Sequence, residues 1–221
     1  MMQNSFFLLA LLVMSSIVSI PSRAQDRGYR PGLAFREDWK EIPAEIPVSQ
    51  AHVNHPDLLL GLHGPGQDSI KKSHHEKPAD DPYYIWSGIC PGNWAVTLKH
   101  REKELDLSGY ARVRWRTKQS GFRQLHLLVQ LADGTWLVSV QSEGYSGDWK
   151  VGELIMADME WFTLDIQAVT EQKPARDPDL GRVRAIGFTD LMPGGNSDAC
   201  SRLDWIEVYG YLVERNNLEI K

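Results

Sequence analysis

The chain has 221 residues, with 24 Lys and Arg against 29 Asp and Glu, a formal charge of −5 and 42% apolar residues. That length suits one domain, and the ordinary charged fraction of 24% argues against long disorder or a polytopic membrane protein. The mildly acidic balance lacks the basic footprint by which nucleic-acid binders hold a polyanion, so no nucleic-acid partner is expected.

Phe6 to Ile20 is an apolar run broken only by small residues, followed by Pro21-Ser22-Arg23-Ala24. It falls short of the ~20 residues a spanning helix needs, and small residues at Ser22 and Ala24 fit a signal peptide cleaved after Ala24. Residues 1–24 are therefore expected to be a signal peptide and residues 25–221 a single β-sandwich domain, secreted or periplasmic, with no membrane span. Export permits a disulfide, and Cys90 and Cys200 are the only cysteines. They read either as a bridged pair or as two separate, partly buried thiols.

From residue 58 onward, short runs of alternating or β-branched residues recur. They are Leu58 to Leu62, Tyr83 to Trp86, Trp94 to Lys99, Ala111 to Lys118, Phe122 to Leu131, Trp136 to Gln141, Glu160 to Ile166, Val183 to Asp190 and Leu203 to Leu212. Gly, Pro, Asp and Ser clusters separate them, and nowhere does a 3.6-residue apolar stripe last three turns. Many short strands with turn signals between them predict an all-β antiparallel sandwich. Asp133-Gly134 is the clearest hairpin turn, since Gly accepts the positive φ such a turn requires.

Four segments carry a resemblance. They are Asp106 to Arg116 with its early Trp115; Gly147-Asp148-Trp149; Val183-Arg184-Ala185-Ile186-Gly187-Phe188; and the closing Leu203-Asp204-Trp205-Ile206-Glu207-Val208. In this order they resemble the jelly-roll carbohydrate-binding modules of the galactose-binding-like type, over about half of the chain. The resemblance implies a galactose-binding-domain-like jelly roll and a polysaccharide or oligosaccharide partner. It also implies a structural calcium ion held between an acidic residue of the first strand, Glu37 or Asp38, and Asp204 of the last.

Alternation in a strand puts Val113 and Trp115 on one face and Arg112, Arg114 and Arg116 on the other. In the next run Gln124, His126 and Gln130 oppose Leu125, Leu127 and Val129. Joined on one sheet face, Arg114, Arg116, Gln124 and His126 form a polar surface rich in planar donors, suited to sugar hydroxyls. The alternative is an ordinary wet sheet face with Arg stems covering apolar surface. Among the eight tryptophans, Trp86, which follows Tyr83-Tyr84-Ile85, and Trp136 sit at strand ends, where they either form a platform for a sugar ring or cap the sandwich core. Trp115, Trp161 and Trp205, inside strands, read as core. The expected carbohydrate-binding residues are Arg114, Arg116, Gln124, His126, Trp86, Trp136 and Tyr84.

Lys71 to Pro82 is the densest ionisable segment and reads as a long solvated loop. Its His74 and His75, with Tyr84, Arg116 and His126, are what a polysaccharide lyase or other glycoside-processing enzyme on the same scaffold would use as acid and base. A third alternative is a structural or adhesion module of an envelope assembly, marked by an exposed apolar patch. No phosphate-cradling glycine loop, nucleophile elbow or dinucleotide fingerprint is present. His52, His55, His63 and His100 read as surface residues.

Overall fold

A computed structural model describes residues 30–193 and 199–215, so the signal segment expected at residues 1–24 lies outside the described residues. The strands are β1 Leu33–Glu37, β2 Leu58–His63, β3 Lys71–Ser73, β4 Tyr84–Trp86, β5 Ala95–His100, β6 Lys103–Asp106, β7 Arg112–Gln119 and β8 Leu125–Leu131. They continue as β9 Trp136–Glu143, β10 Lys150–Ile155, β11 Trp161–Asp165, β12 Thr170–Ala175, β13 Val183–Thr189, β14 Ser201–Tyr209 and β15 Tyr211–Glu214. Among the described residues no helix is long and apolar enough to cross a membrane.

Each run read as a strand in the sequence contains one. β3, β6 and β12 were not read, because each is short or carries charges that mask its alternation; β1 and β10 entered only through the resemblance, as the first strand and the strand after Trp149. β12 is exposed along most of its length, at the edge of its sheet.

The strands form two antiparallel sheets packed face to face as a sandwich. One has six strands in the order β10-β7-β14-β4-β3, with β1 also on β14; the other has nine, in the order β12-β11-β9-β8-β13-β5-β2, with β6 and β15 attached. β7 supplies Val113 and Trp115 to the layer between them, and β14 supplies Leu203, Ile206 and Val208. Leu125, Leu127 and Val129 of β8, Trp161 of β11, and Ile186 and Phe188 of β13 meet them from the other sheet. Asp133-Gly134 turns β8 into β9 as expected, with Gly134 at a φ of 94°.

A satellite core lies on the outer side of the nine-stranded sheet. There Leu128, Val138 and Leu164 are covered by Val169 and by the partly buried Trp136, Phe162 and Ile166. Part of that sheet's outer face is therefore already closed by the chain itself.

Cys90 and Cys200 are unbridged thiols, both buried. Burial is the main reason the Cys90 thiol is pushed up to about 12, with the charge of Asp190 adding to it. They take the separate-thiol alternative in place of the bridge.

The segment from Lys71 onward is not wholly a solvated loop, because Lys71–Ser73 is the edge strand β3 and pairs with β4. Lys72 shows no exposed surface. Its ammonium donates to the Ile42 carbonyl at 2.6 Å and lies 3.8 Å from the Tyr83 ring centroid. Desolvation lowers its pKa from 10.5 to about 8, against a smaller opposing pull from Glu41. The folded chain therefore releases this proton at a lower pH than the unfolded chain does, and the charged lysine costs stability at neutral pH. Lys72→Met is expected to stabilise the fold at about pH 7 by on the order of 1 kcal/mol. Between about pH 8 and 10.5 that advantage should shrink, as wild-type stability gains relative to the variant; urea unfolding of both proteins across this range measures it.

Candidate functional site

The outer face of the six-stranded sheet is set by register. β14 pairs with β7 so that Trp205 faces Arg116, Glu207 faces Arg114 and Tyr209 faces Arg112. Because Val113 and Trp115 point into the core, the arginines of β7 point out. The sequence reading placed Trp205 in the core with Trp115 and Trp161, and the structure corrects it for Trp205. A β-bulge between Leu203 and Trp205 shifts the alternation, so Leu203, Ile206 and Val208 are buried while Trp205 stands half-buried on the outside.

The resulting surface is a lattice of ion pairs and rings. Arg36 of β1 donates to Glu207 at 2.7 Å, and Arg114 donates to the other oxygen of the same carboxylate at 3.2 Å. Arg112 and Arg114 both approach Glu153 of β10, at 3.4 and 3.7 Å. Arg116 donates to Asp204 at 2.7 Å, and Arg36 is 3.4 Å from Asp38. The guanidinium of Arg36 lies 4.6 Å and that of Arg114 5.9 Å from the Trp205 ring centroid. Arg116 likewise covers Trp149 at 5.3 Å, and Arg112 covers Tyr209 at 3.9 Å.

Beside this surface opens a cleft of about 900 Å³. Its floor includes Arg116, Asp204 and Trp205, and one wall comes from Arg36, Asp38 and Asn54. The other wall is the loop after β3, where His74 stacks on Tyr83 with centroids 4.0 Å apart. Burial raises the Asp204 carboxyl above the usual carboxylate range, while the hydrogen bond and charge of Arg116 pull it back. Next along the loop, the His75 ring nitrogen Nδ1 is 2.9 Å from Asp81 and 3.2 Å from the Tyr84 hydroxyl.

The expected binding residues divide between the two sheets. Arg114, Arg116, Tyr84 and Trp86 belong to the six-stranded sheet; Arg116 lines the cleft, whereas Tyr84 is buried and packs edge-on against Trp149. Trp86 is paired with Arg202 and lies outside the cleft. Gln124, His126 and Trp136 lie in or beside β8 and β9 of the opposite sheet, so the single face joining Arg116 to His126 does not exist. The reason is that β7 pairs with β10 and β14 and not with its neighbour in sequence, β8. His126 holds the Ser139 carbonyl at 2.8 Å, and Gln124 accepts from Ser142. The histidines expected at the surface are drawn inward: His52 is buried, and His63 and His100 are half-buried.

The residues proposed for calcium do not fit it. Both oxygens of the fully buried Glu37 are taken by backbone amides, those of Trp39 and Asn54 on one and His55 on the other, at 2.8 to 2.9 Å. Asp204 is committed to Arg116, and Asp38 to Asn54 and Arg36. Among the described residues no three His, Cys, Asp or Glu side chains gather as a metal site.

Sequence reasoning missed Arg36, Trp149, Tyr83 and the outward turn of Trp205. The last depends on one bulge, which nothing in Leu203-Asp204-Trp205 announces.

No protein-family model and no curated protein matches the chain. Among solved structures, its outline is similar to the family 11 carbohydrate-binding module of the cellulosomal cellulase Lic26A-Cel5E of Clostridium thermocellum. That match has 10% identity and a TM-score of 0.44, covering 78% of this chain and 97% of that one. A second structure of the Clostridium thermocellum family 11 module, in complex with a β-1,3-1,4-mixed-linked tetrasaccharide, matches at 12% identity and a TM-score of 0.44, covering 76% and 95%. TmCBM61 in complex with β-1,4-galactotriose matches at 14% identity and a TM-score of 0.30, covering 72% and 89%.

Proposed function

We propose that the chain is an exported protein that binds saccharide in the cleft of the six-stranded sheet. The observation that carries this reading is Trp205, an outward indole flanked by two guanidinium groups at the edge of a cleft floored by the Arg116–Asp204 pair. A sugar ring presents C–H groups that pack on an indole, and hydroxyls that each donate and accept. Arg116 beside Asp204, and Arg36 beside Asp38, offer a donor and an acceptor side by side, fixed before any ligand arrives. Their charges cancel in pairs, which suits a neutral glycan over a polyanion.

A second reading is supported by the Asp81–His75–Tyr84 contacts, an arrangement in which a carboxylate orients an imidazole for proton transfer. That constellation differs from the set read in the sequence, because His126 lies on the other sheet. Binding without turnover is the expected behaviour. Release of reducing or unsaturated sugar ends from a polysaccharide, stopping in His75→Ala, would replace binding by catalysis.

Trp205→Ala and Arg116→Ala are each expected to weaken an oligosaccharide hit from a glycan array about tenfold or more, a loss of about 1.4 kcal/mol, with the fold intact. Titration calorimetry measures this, and an array without hits or a Trp205→Ala protein of wild-type affinity defeats the proposal. For export, mass spectrometry of the protein recovered outside the cytoplasm is expected to give a chain beginning at Gln25.

A further inference from the structure

The outer face of the nine-stranded sheet is closed in part by the satellite core, and beside that core lies a trough of about 310 Å³. We infer that this trough is a second saccharide site, suited to a ring that bears a carboxylate. The inference shares with the proposal above the class of ligand, and nothing of its site.

Trp136 forms one side of the trough and His63 lies against it, with ring centroids 5.5 Å apart and planes inclined by 60°. The His63 ring is held by a 2.9 Å contact between Nε2 and the Thr97 hydroxyl. That contact depends on Gly61, where a Cβ would fall 2.4 Å from the Thr97 oxygen and 2.9 Å from Nε2. A glycine inside a strand weakens it, and is expected where another group must approach closely. Here Gly61 gives the two aromatic rings a fixed relation. Burial lowers the His63 pKa, so the ring is neutral at pH 7 and stacks without charge.

The polar groups around these rings are uncommitted. Among the described residues, the side chains of Lys99, Gln130 and Gln167 make no hydrogen bond or ion pair with the protein, although all three line the trough. The cleft on the other sheet is the opposite case, since Arg116 of its floor is already paired with Asp204 and Arg36 of its wall with Asp38. No Asp or Glu lines the trough, which leaves Lys99 as an uncompensated cation. Two amides able to donate and accept, an aromatic pair and one free ammonium match the hydroxyls, ring face and carboxylate of a uronate. A neutral sugar would leave the ammonium unanswered.

The test is titration of the mature protein with trigalacturonate and, as its neutral counterpart, galactotriose, followed by calorimetry and by the indole NMR signal of Trp136. Trigalacturonate is expected to shift that signal, to bind about tenfold better than galactotriose in its presence, and to weaken with added salt. Lys99→Gln should remove the preference, and Gln167→Ala, which breaks no side-chain hydrogen bond within the protein, should weaken binding severalfold. Trp205→Ala should leave trigalacturonate binding unchanged, which separates this site from the cleft. An unmoved Trp136 signal, a Lys99→Gln protein that still prefers the uronate, or loss of trigalacturonate binding in Trp205→Ala overturns the inference. Loss of neutral-glycan binding in Trp205→Ala does not bear on it.

Discussion

The face that carries the cleft depends on one extra residue in the central strand. β14 pairs with β7 along one edge and with β1 and β4 on the other, so whatever β14 turns outward becomes the middle of the sheet's exposed surface. Strict alternation from Leu203 would bury Trp205 and expose Ile206 and Val208, an apolar face toward solvent and a ring in a core already filled by Trp115. The bulge at Asp204 reverses the parity after Leu203. Trp205, Glu207 and Tyr209 then alternate with the outward arginines of β7, and Ile206 and Val208 return to the core.

The ion pairs built on that parity position groups more than they stabilise the fold. Half-exposed pairs are worth about 0–1 kcal/mol each, and cation–π contacts at partly exposed rings about 0.5–2 kcal/mol. Stability comes from the layer between the sheets, where Trp115, Phe188, Leu125, Leu127 and Val129 are closed to water. The lattice instead fixes rotamers of long side chains, so that a ligand meeting Arg116 and Asp204 does not bear the cost of ordering them. In the trough on the other sheet, His63 is held by Thr97, whereas Lys99, Gln130 and Gln167 have no such partners to order them.

Strand content was readable because period-two alternation survives in single sequence, and Arg112, Arg114 and Arg116 opposite Val113 and Trp115 are its cleanest case. Partner strands were not readable. β7 and β8 follow each other in the chain through a turn at Gly121, a geometry that favours pairing, yet they lie in different sheets. Arg116 and His126 were assigned one surface by carrying the alternation from one run into the next, and the crossover separates them. Lys72 escaped for a related reason: a charged residue between Lys71 and Ser73 reads as solvated, whereas its ammonium is enclosed beside the Ile42 carbonyl and the Tyr83 ring. Glu37 stands where the resemblance expected an acidic calcium ligand, yet its two oxygens accept three backbone amides, an arrangement that no sequence pattern announces.

Glu37 shows what that carboxylate does in place of holding an ion. It ends β1 inside the protein and accepts the amides of Trp39, Asn54 and His55, tying two chain segments to one strand end. Burial raises its pKa in spite of those three amides, so desolvation is the larger effect. The positions it fixes are those of the cleft: Asp38 is its neighbour in the chain, and Asn54, held at its backbone by Glu37, donates its side-chain amide to Asp38 at 2.7 Å. Asp38 in turn meets Arg36, which lies over Trp205. The outward indole and the wall facing it are thus connected through a buried carboxylate and a sheet register, two constraints set before any ligand binds.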